Sequence, residues 1–242
     1  MKEFDHYRDG YSQQINQAIA FSGQTQDFYT AVKARCLLDI FSRLRPSKSV
    51  SEAASGDAGP ALEVLDVGCG QGLIHPYLHP SKSNLKLTGI DVAGTVIDEA
   101  KAANPHVHYD VYDGERLPYG GDTFDAAFAI AVMHHVPPAN WASFLAEMSR
   151  VVRPGGLVAI VEHNPINPLT QWIVRSCPFD ENAVLLRSGR LARLFRATGL
   201  VELERRFIIF TPFDSAFFRQ LDAGLSWLPL GAQYCMAARV PT

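Results

Sequence analysis

Residues 62 to 78 read LEVLDVGCGQGLIHPYL. The apolar residues Leu62, Val64, Leu65 and Val67 run into three glycines at alternate positions, Gly68, Gly70 and Gly72, and Asp66 stands two places before the first. A short apolar run, a glycine cluster and a helix-compatible segment predict a buried strand over 62–67, a tight turn and a helix N-terminus. That arrangement lets backbone approach a ligand closely. The spacing is D-x-G-x-G-x-G. It is neither the dinucleotide pattern G-x-G-x-x-G nor the phosphate loop, which also needs a Lys-Ser or Lys-Thr pair, so the turn is shaped for something other than a pyrophosphate.

Downstream, strand and helix patterns alternate. Strands are predicted at 62–67, 85–90, 107–111, 124–131 and 157–161, with helices over 95–103 and 139–151 and a short one after the glycine turn, disturbed at Pro76. Helices between strands imply a parallel sheet covered on both faces. Beyond the fifth strand the alternation breaks. Residues 163–188 contain Pro165, Pro168 and Pro178 and are expected to form an irregular insertion with a short helix over 169–175. A helix at 190–198, a strand at 201–210, a helix at 217–225 and a strand at 233–240 complete the pattern.

Upstream, Phe4, Tyr7, Tyr11, Ile15 and Ile19 mark one helical stripe, and Phe28, Val32, Cys36, Ile40 and Leu44 a second, with Thr25 as its expected N-cap. Tyr29 and Lys33 fall on a neighbouring stripe that either faces a substrate cleft or leaves Lys33 solvated, and the solvated reading is preferred. The domain reading is therefore a helical cap over 1–45, a flexible small-residue linker over 46–60 and a core over 61–242 that carries the 163–188 insertion.

The 242 residues are 47% hydrophobic and 19% charged, enough for one sizeable core. A net charge of −3 supplies no basic surface for nucleic acid. Cys36, Cys69, Cys177 and Cys235 form no C-x-x-C pair, which suits free thiols in a reducing compartment. Neither a signal peptide nor a membrane span is readable, and the expectation is a cytoplasmic protein, monomeric or a homodimer.

Asp91 ends the second strand, 21 residues after Gly70, where a doubly wound sheet places a carboxylate beside a ribose. The run Asp113-Gly114-Glu115-Arg116-Leu117-Pro118-Tyr119, followed by Thr123-Phe124-Asp125, joins the glycine turn and Asp91 in order and spacing. On these residues the chain resembles the class I S-adenosylmethionine (SAM)-dependent methyltransferases, whose motifs are [DE]-x-G-x-G-x-G and D-A-x-x-L-P-F…F-D. The type is that of the ubiquinone/menaquinone methyltransferases, whose L-H-H sequence is similar to Met133-His134-His135. Arg153-Pro154-Gly155-Gly156 matches the family's [KR]-P-G-G turn.

The resemblance implies a Rossmann-like, doubly wound seven-stranded α/β sheet of order 3-2-1-4-5-7-6 with the last strand antiparallel. It implies SAM as cofactor, S-adenosylhomocysteine as product, no metal, and a small-molecule acceptor. Cofactor residues carried over are Tyr11 as a lid, Asp66, Gly68, Cys69 and Gly70 at the amino-acid end, Asp91 and Val92 at the ribose, Asp113 and Gly114 at the adenine, and Ala129 and Ile130 beside the methionine. An imidazole titrates near neutral pH, and His163, His134 and Glu162 are the candidate catalytic groups, His163 first. The stretches 167–170 and 177–183 resemble a bacterial subgroup associated with glycan or lipid-linked sugar pathways; Asp180 and Arg187 there either contact an acceptor or pin the insertion. A SAM-binding protein of another reaction, a non-catalytic scaffold and a nicotinamide oxidoreductase are the competing readings, and the Asp113–Asp125 block argues against the last.

Overall fold

The computed structural model describes residues 19–44, 60–78, 84–177 and 182–242. The predicted lid residue Tyr11, the first helical stripe up to residue 18, most of the 46–60 linker and Asp180 lie outside the described residues. The first long element is α1, Gln26–Ser42. The core then runs β1 (Leu62–Val67), α2 (His75–Leu78), β2 (Leu85–Asp91), α3 (Gly94–Ala103), β3 (His108–Val111), β4 (Phe124–Ile130), α4 (Trp141–Val151) and β5 (Val152–His163). It ends with α5 (Pro168–Ser176), α6 (Ser188–Ala197), β6 (Val201–Ile208), α7 (Ala216–Gly224) and β7 (Gln233–Arg239).

The seven strands form one sheet in the order β3-β2-β1-β4-β5-β7-β6. The first five are parallel, and β7 runs antiparallel to both β5 and β6. Order and direction are those the resemblance implied. The sheet is buried on both faces. On one, Ala34, Leu37 and Phe41 of α1 join Ile97 and Ala100 of α3 against Val64, Phe128 and Ala159. On the other, Trp141, Leu145 and Met148 of α4 join Leu191 and Phe195 of α6 against Leu65, Ala127 and Val158. A strand buried on both faces reads as a continuous apolar run, which is why β4 and the second half of β5 show no alternation.

Two expectations shift. Strand five begins at Val152, not Leu157, because Arg153–Gly156 continues the strand through an irregularity in its pairing with β4 between Phe124 and Ala126. Gly156 is required there: a Cβ would stand 2.5 Å from the Asp125 carbonyl oxygen. The buried face of α1 matches the expected one only in part. Cys36 and Ile40 are buried as expected, together with Thr30, Ala34, Leu37 and Phe41, while Phe28 and Val32 are only half-buried. Strict four-residue spacing drifts around a helix of 3.6 residues per turn, so the Phe28–Leu44 stripe does not stay on one side. Thr25 occupies the N-cap position without a side-chain capping bond.

Candidate active site

The carboxyl ends of β1, β2, β4 and β5 open onto one cavity of about 1090 Å³. The glycine turn forms its floor. Gly68 has φ +76°, and a Cβ there would meet Val132 Cγ2 at 2.5 Å; only glycine lets the turn pass under the end of β4. Gly72, at φ +67°, lies over a buried relay. Asp66 Oδ2 stands 3.1 Å from His75 Nε2, and His75 Nδ1 stands 2.5 Å from the Tyr109 hydroxyl. Burial raises the Asp66 carboxyl above its ordinary pKa, and the bond to His75 opposes the rise. Asp66 is 3% exposed and reaches the cavity only at its edge, so the relay is its main engagement. Burial likewise pushes the Cys69 thiol up, leaving it a neutral wall residue.

Asp91 ties the turn to β2. Its Oδ2 accepts from the Gly70 amide at 2.8 Å and its Oδ1 from the Ala93 amide at 3.0 Å. Burial raises this carboxyl too, and the amides of Ala93, Gly70 and Val92 hold it back. A carboxylate oxygen has about two lone-pair sites, so each oxygen of Asp91 retains capacity to accept from a ligand hydroxyl. Val92 packs close to Gly114, where a Cβ would stand 3.2 Å from Val92 Cγ1, and both line the cavity near Asp91.

Asp113 caps its own turn. Its Oδ1 accepts from the amides of Glu115 and Arg116 at 2.8 and 3.0 Å, and these two bonds lower its pKa. The segment behind it is clasped from α4: Arg150 donates to the Tyr119 and Leu117 carbonyls at 2.8 and 3.0 Å, and Glu147 accepts from the Leu117 amide at 3.1 Å. Asp125 is architectural, accepting from Arg153 at 2.7 Å and from the Glu63 amide at 2.8 Å.

At the end of β4, Ala129 is 1% exposed and packed in the core; its side chain does not line the cavity, whose wall here is Ile130, Ala131 and Val132. Ala131 takes φ +55°, a left-handed conformation that costs a residue with a Cβ about 1–2 kcal/mol. The chain then enters the short 3₁₀ turn Met133–His135.

Glu162 departs from the expected catalytic role. It is 1% exposed and does not line the cavity. Its Oε1 accepts from the Met133 amide and its Oε2 lies against His134 Nδ1, both at 2.7 Å. Burial would raise its pKa, but His134, His163 and the Met133 amide hold it below the ordinary value. Both oxygens of this buried carboxylate are thus engaged, by the Met133 amide and by His134, and none of its surface faces the cavity. His134 and His163 both line the cavity with ring centroids 5.2 Å apart, and His135 stacks 4.1 Å from His134. Among the described residues no group of three or more His, Cys, Asp or Glu is arranged to hold a metal ion.

The far wall comes from α1 and the insertion. Asn167 caps α5 by accepting from the Leu169 and Thr170 amides. Asn164 donates to the Pro229 and Gly231 carbonyls, Asn167 to Leu230 and Thr170 to Ala232, so α5 hangs from the loop before β7. Arg187 is exposed and lies outside the cavity lining. Lys33 is not the solvated residue expected: with Tyr29 and Thr30 it lines the cavity. Burial lowers its pKa to about 8, against the pull of Glu162. Gln233 was not anticipated either. It faces His163, Nε2 to Nδ1 at 3.4 Å, from the start of β7 seventy residues away, and only the antiparallel register of β5 and β7 brings the two together.

Residues 65–160 match the methyltransferase domain family. The ubiquinone/menaquinone biosynthesis C-methyltransferase of Desulfotalea psychrophila is 31% identical over 184 residues, covering 66% of this chain and 74% of the relative. The ubiquinone biosynthesis O-methyltransferase of Rhizobium etli is 26% identical, over 70% of this chain and 72% of its own. In fold, a SAM-dependent methyltransferase of Thermotoga maritima superposes with a TM-score of 0.66 over 99% of each chain, at 16% identity. Sequence likeness at that coverage reaches well past the glycine turn, and the chain belongs to the class I SAM-dependent methyltransferases.

Proposed function

We propose that the enzyme methylates a small, largely apolar molecule seated between the glycine turn, the Met133–His135 turn and the wall made by α1 and α5. The observation that carries this reading is the cavity itself: one volume of about 1090 Å³ meets both the cofactor motifs and the histidine cluster. The residues present suit SAM. Glycines 68 and 70 leave backbone bare at the floor, Asp91 has room for ribose hydroxyls, and Val92, Asp113 and Gly114 line the cavity beside it, where a flat ring would lie. When bound, SAM supplies a methyl group on a positively charged sulfur. The protein's part is to hold the acceptor in line with that methyl and keep water out, which accounts for most of the rate in such transfers. His163 takes the acceptor's proton where one must leave, His134 is held in orientation by Glu162, and the cap elements choose the acceptor. The matched relatives carry C- and O-methyltransferase names, and both chemistries fit a site with an imidazole base.

The test is an acceptor screen that reads S-adenosylhomocysteine release, run with wild type and His163→Ala. Product release with some acceptor, lost in the variant, is the expected result. Failure of wild type to bind S-adenosylhomocysteine in calorimetry breaks the cofactor assignment. Undiminished turnover in His163→Ala removes the base.

A further inference from the structure

Lys33 sits in the third turn of α1 and lines the cavity with Tyr29 and Thr30. Among the described residues its ammonium has no hydrogen bond and no ion pair. The carboxylate that acts on it is Glu162, and both oxygens of Glu162 are already engaged by the Met133 amide and His134. The Thr30 hydroxyl is turned back to the Gln26 carbonyl. A half-buried cation facing a mostly apolar cavity without an anionic partner is costly to keep unless a ligand completes it. Gln233, on the same cavity and 8% exposed, adds a second open position: its Oε1 is buried with no hydrogen-bond partner.

We propose that Lys33 anchors an anionic group of the acceptor, so that the molecule methylated is a small organic acid held by its carboxylate. A hydroxyl or amine on the same molecule would satisfy Gln233. This rests on the reading that the cavity takes the acceptor, and it names the acceptor's class. The weakened basicity of Lys33 is what an incoming anion would reverse, since an opposite charge restores preference for the ammonium form.

The test uses the full chain saturated with S-adenosylhomocysteine and matched probes: benzoate, 4-hydroxybenzoate and octanoate, each against its uncharged amide, with affinities read by calorimetry. A charge-assisted contact of this kind is worth roughly tenfold or more, so wild type binds at least one acid about tenfold more tightly than its amide. The preference disappears in Lys33→Met and survives in Lys33→Arg, while all three proteins bind S-adenosylhomocysteine equally. Wild type that takes acids and amides alike, or takes neither, overturns the proposal, as does a preference that persists in Lys33→Met. Loss of S-adenosylhomocysteine binding by wild type marks failure of the underlying cofactor reading instead.

Discussion

Glu162→Gln probes the buried pair under the histidine cluster. The substitution preserves shape and leaves Oε1 able to accept from the Met133 amide at 2.7 Å. It removes the charge and sets an amide nitrogen opposite His134 Nδ1, also at 2.7 Å. A hydrogen bond to an ionised group is worth about 1.5–3 kcal/mol against about 0.5–1.5 kcal/mol for a neutral one, so weakening two of them costs roughly 2–3 kcal/mol. For a chain of this size that lowers the melting temperature by about 4–12 °C. The pH dependence has a definite sign. The folded-state pKa of Glu162 is depressed, so its stabilisation is present above the unfolded value and is lost as pH falls through the folded one. Urea melts of wild type and variant should differ fully at pH 7 and converge below about pH 4.5. Equal stability at pH 7, or a difference that widens in acid, would refute the assignment of Glu162 as the ionised partner of His134.

Other parts of the site give sharper single readouts. Asp91→Ala removes a carboxylate whose charge-assisted contacts are each worth about 1.5–3 kcal/mol, so calorimetry should show S-adenosylhomocysteine binding weakened by about tenfold or more; unchanged affinity would sink the ribose assignment. Gly68→Ala places a Cβ 2.5 Å from Val132 Cγ2 at φ +76°, and the backbone term alone is about 1–2 kcal/mol. Adding Val132→Ala should relieve the clash and recover only part of the loss in thermal melts; full recovery would mean the backbone is unstrained. Arg150→Met releases the Leu117 and Tyr119 carbonyls, so hydrogen exchange across residues 113–119 should quicken and cofactor affinity fall severalfold. Exchange that stays slow would show that buried Leu117 holds the segment unaided.

The sheet was readable because its signals are local. β1 falls at Leu62–Val67, as the apolar run before Gly68 implies, and β2 ends on Asp91, as its position after the second apolar run implies. The acceptor side was less readable because its contacts are distant in sequence. Glu162 looks like an acid at a strand end until the fold brings Met133 and His134, 29 and 28 residues away, onto its two oxygens. Lys33 looks solvated because a lysine flanking an apolar stripe ordinarily is; the buried band of α1 is wide enough to take in Thr30, Ala34 and Leu37 as well, and Lys33 beside them lines the cavity. Gln233 has no local signature at all; its place depends on the register of two antiparallel strands.

The suspension of α5 has an evolutionary consequence. Asn164, Asn167 and Thr170 grip the carbonyls of Pro229, Leu230, Gly231 and Ala232, atoms every amino acid possesses. Substitutions at Pro229 and Leu230 leave those carbonyls in place, whereas a Cβ at Gly231 would stand 2.6 Å from the Ile208 carbonyl oxygen. The exposed Leu169 side chain of α5 lines the cavity and takes no part in the grip. That stretch of wall can therefore drift in shape and polarity while the floor, where Gly68 admits no Cβ, stays fixed.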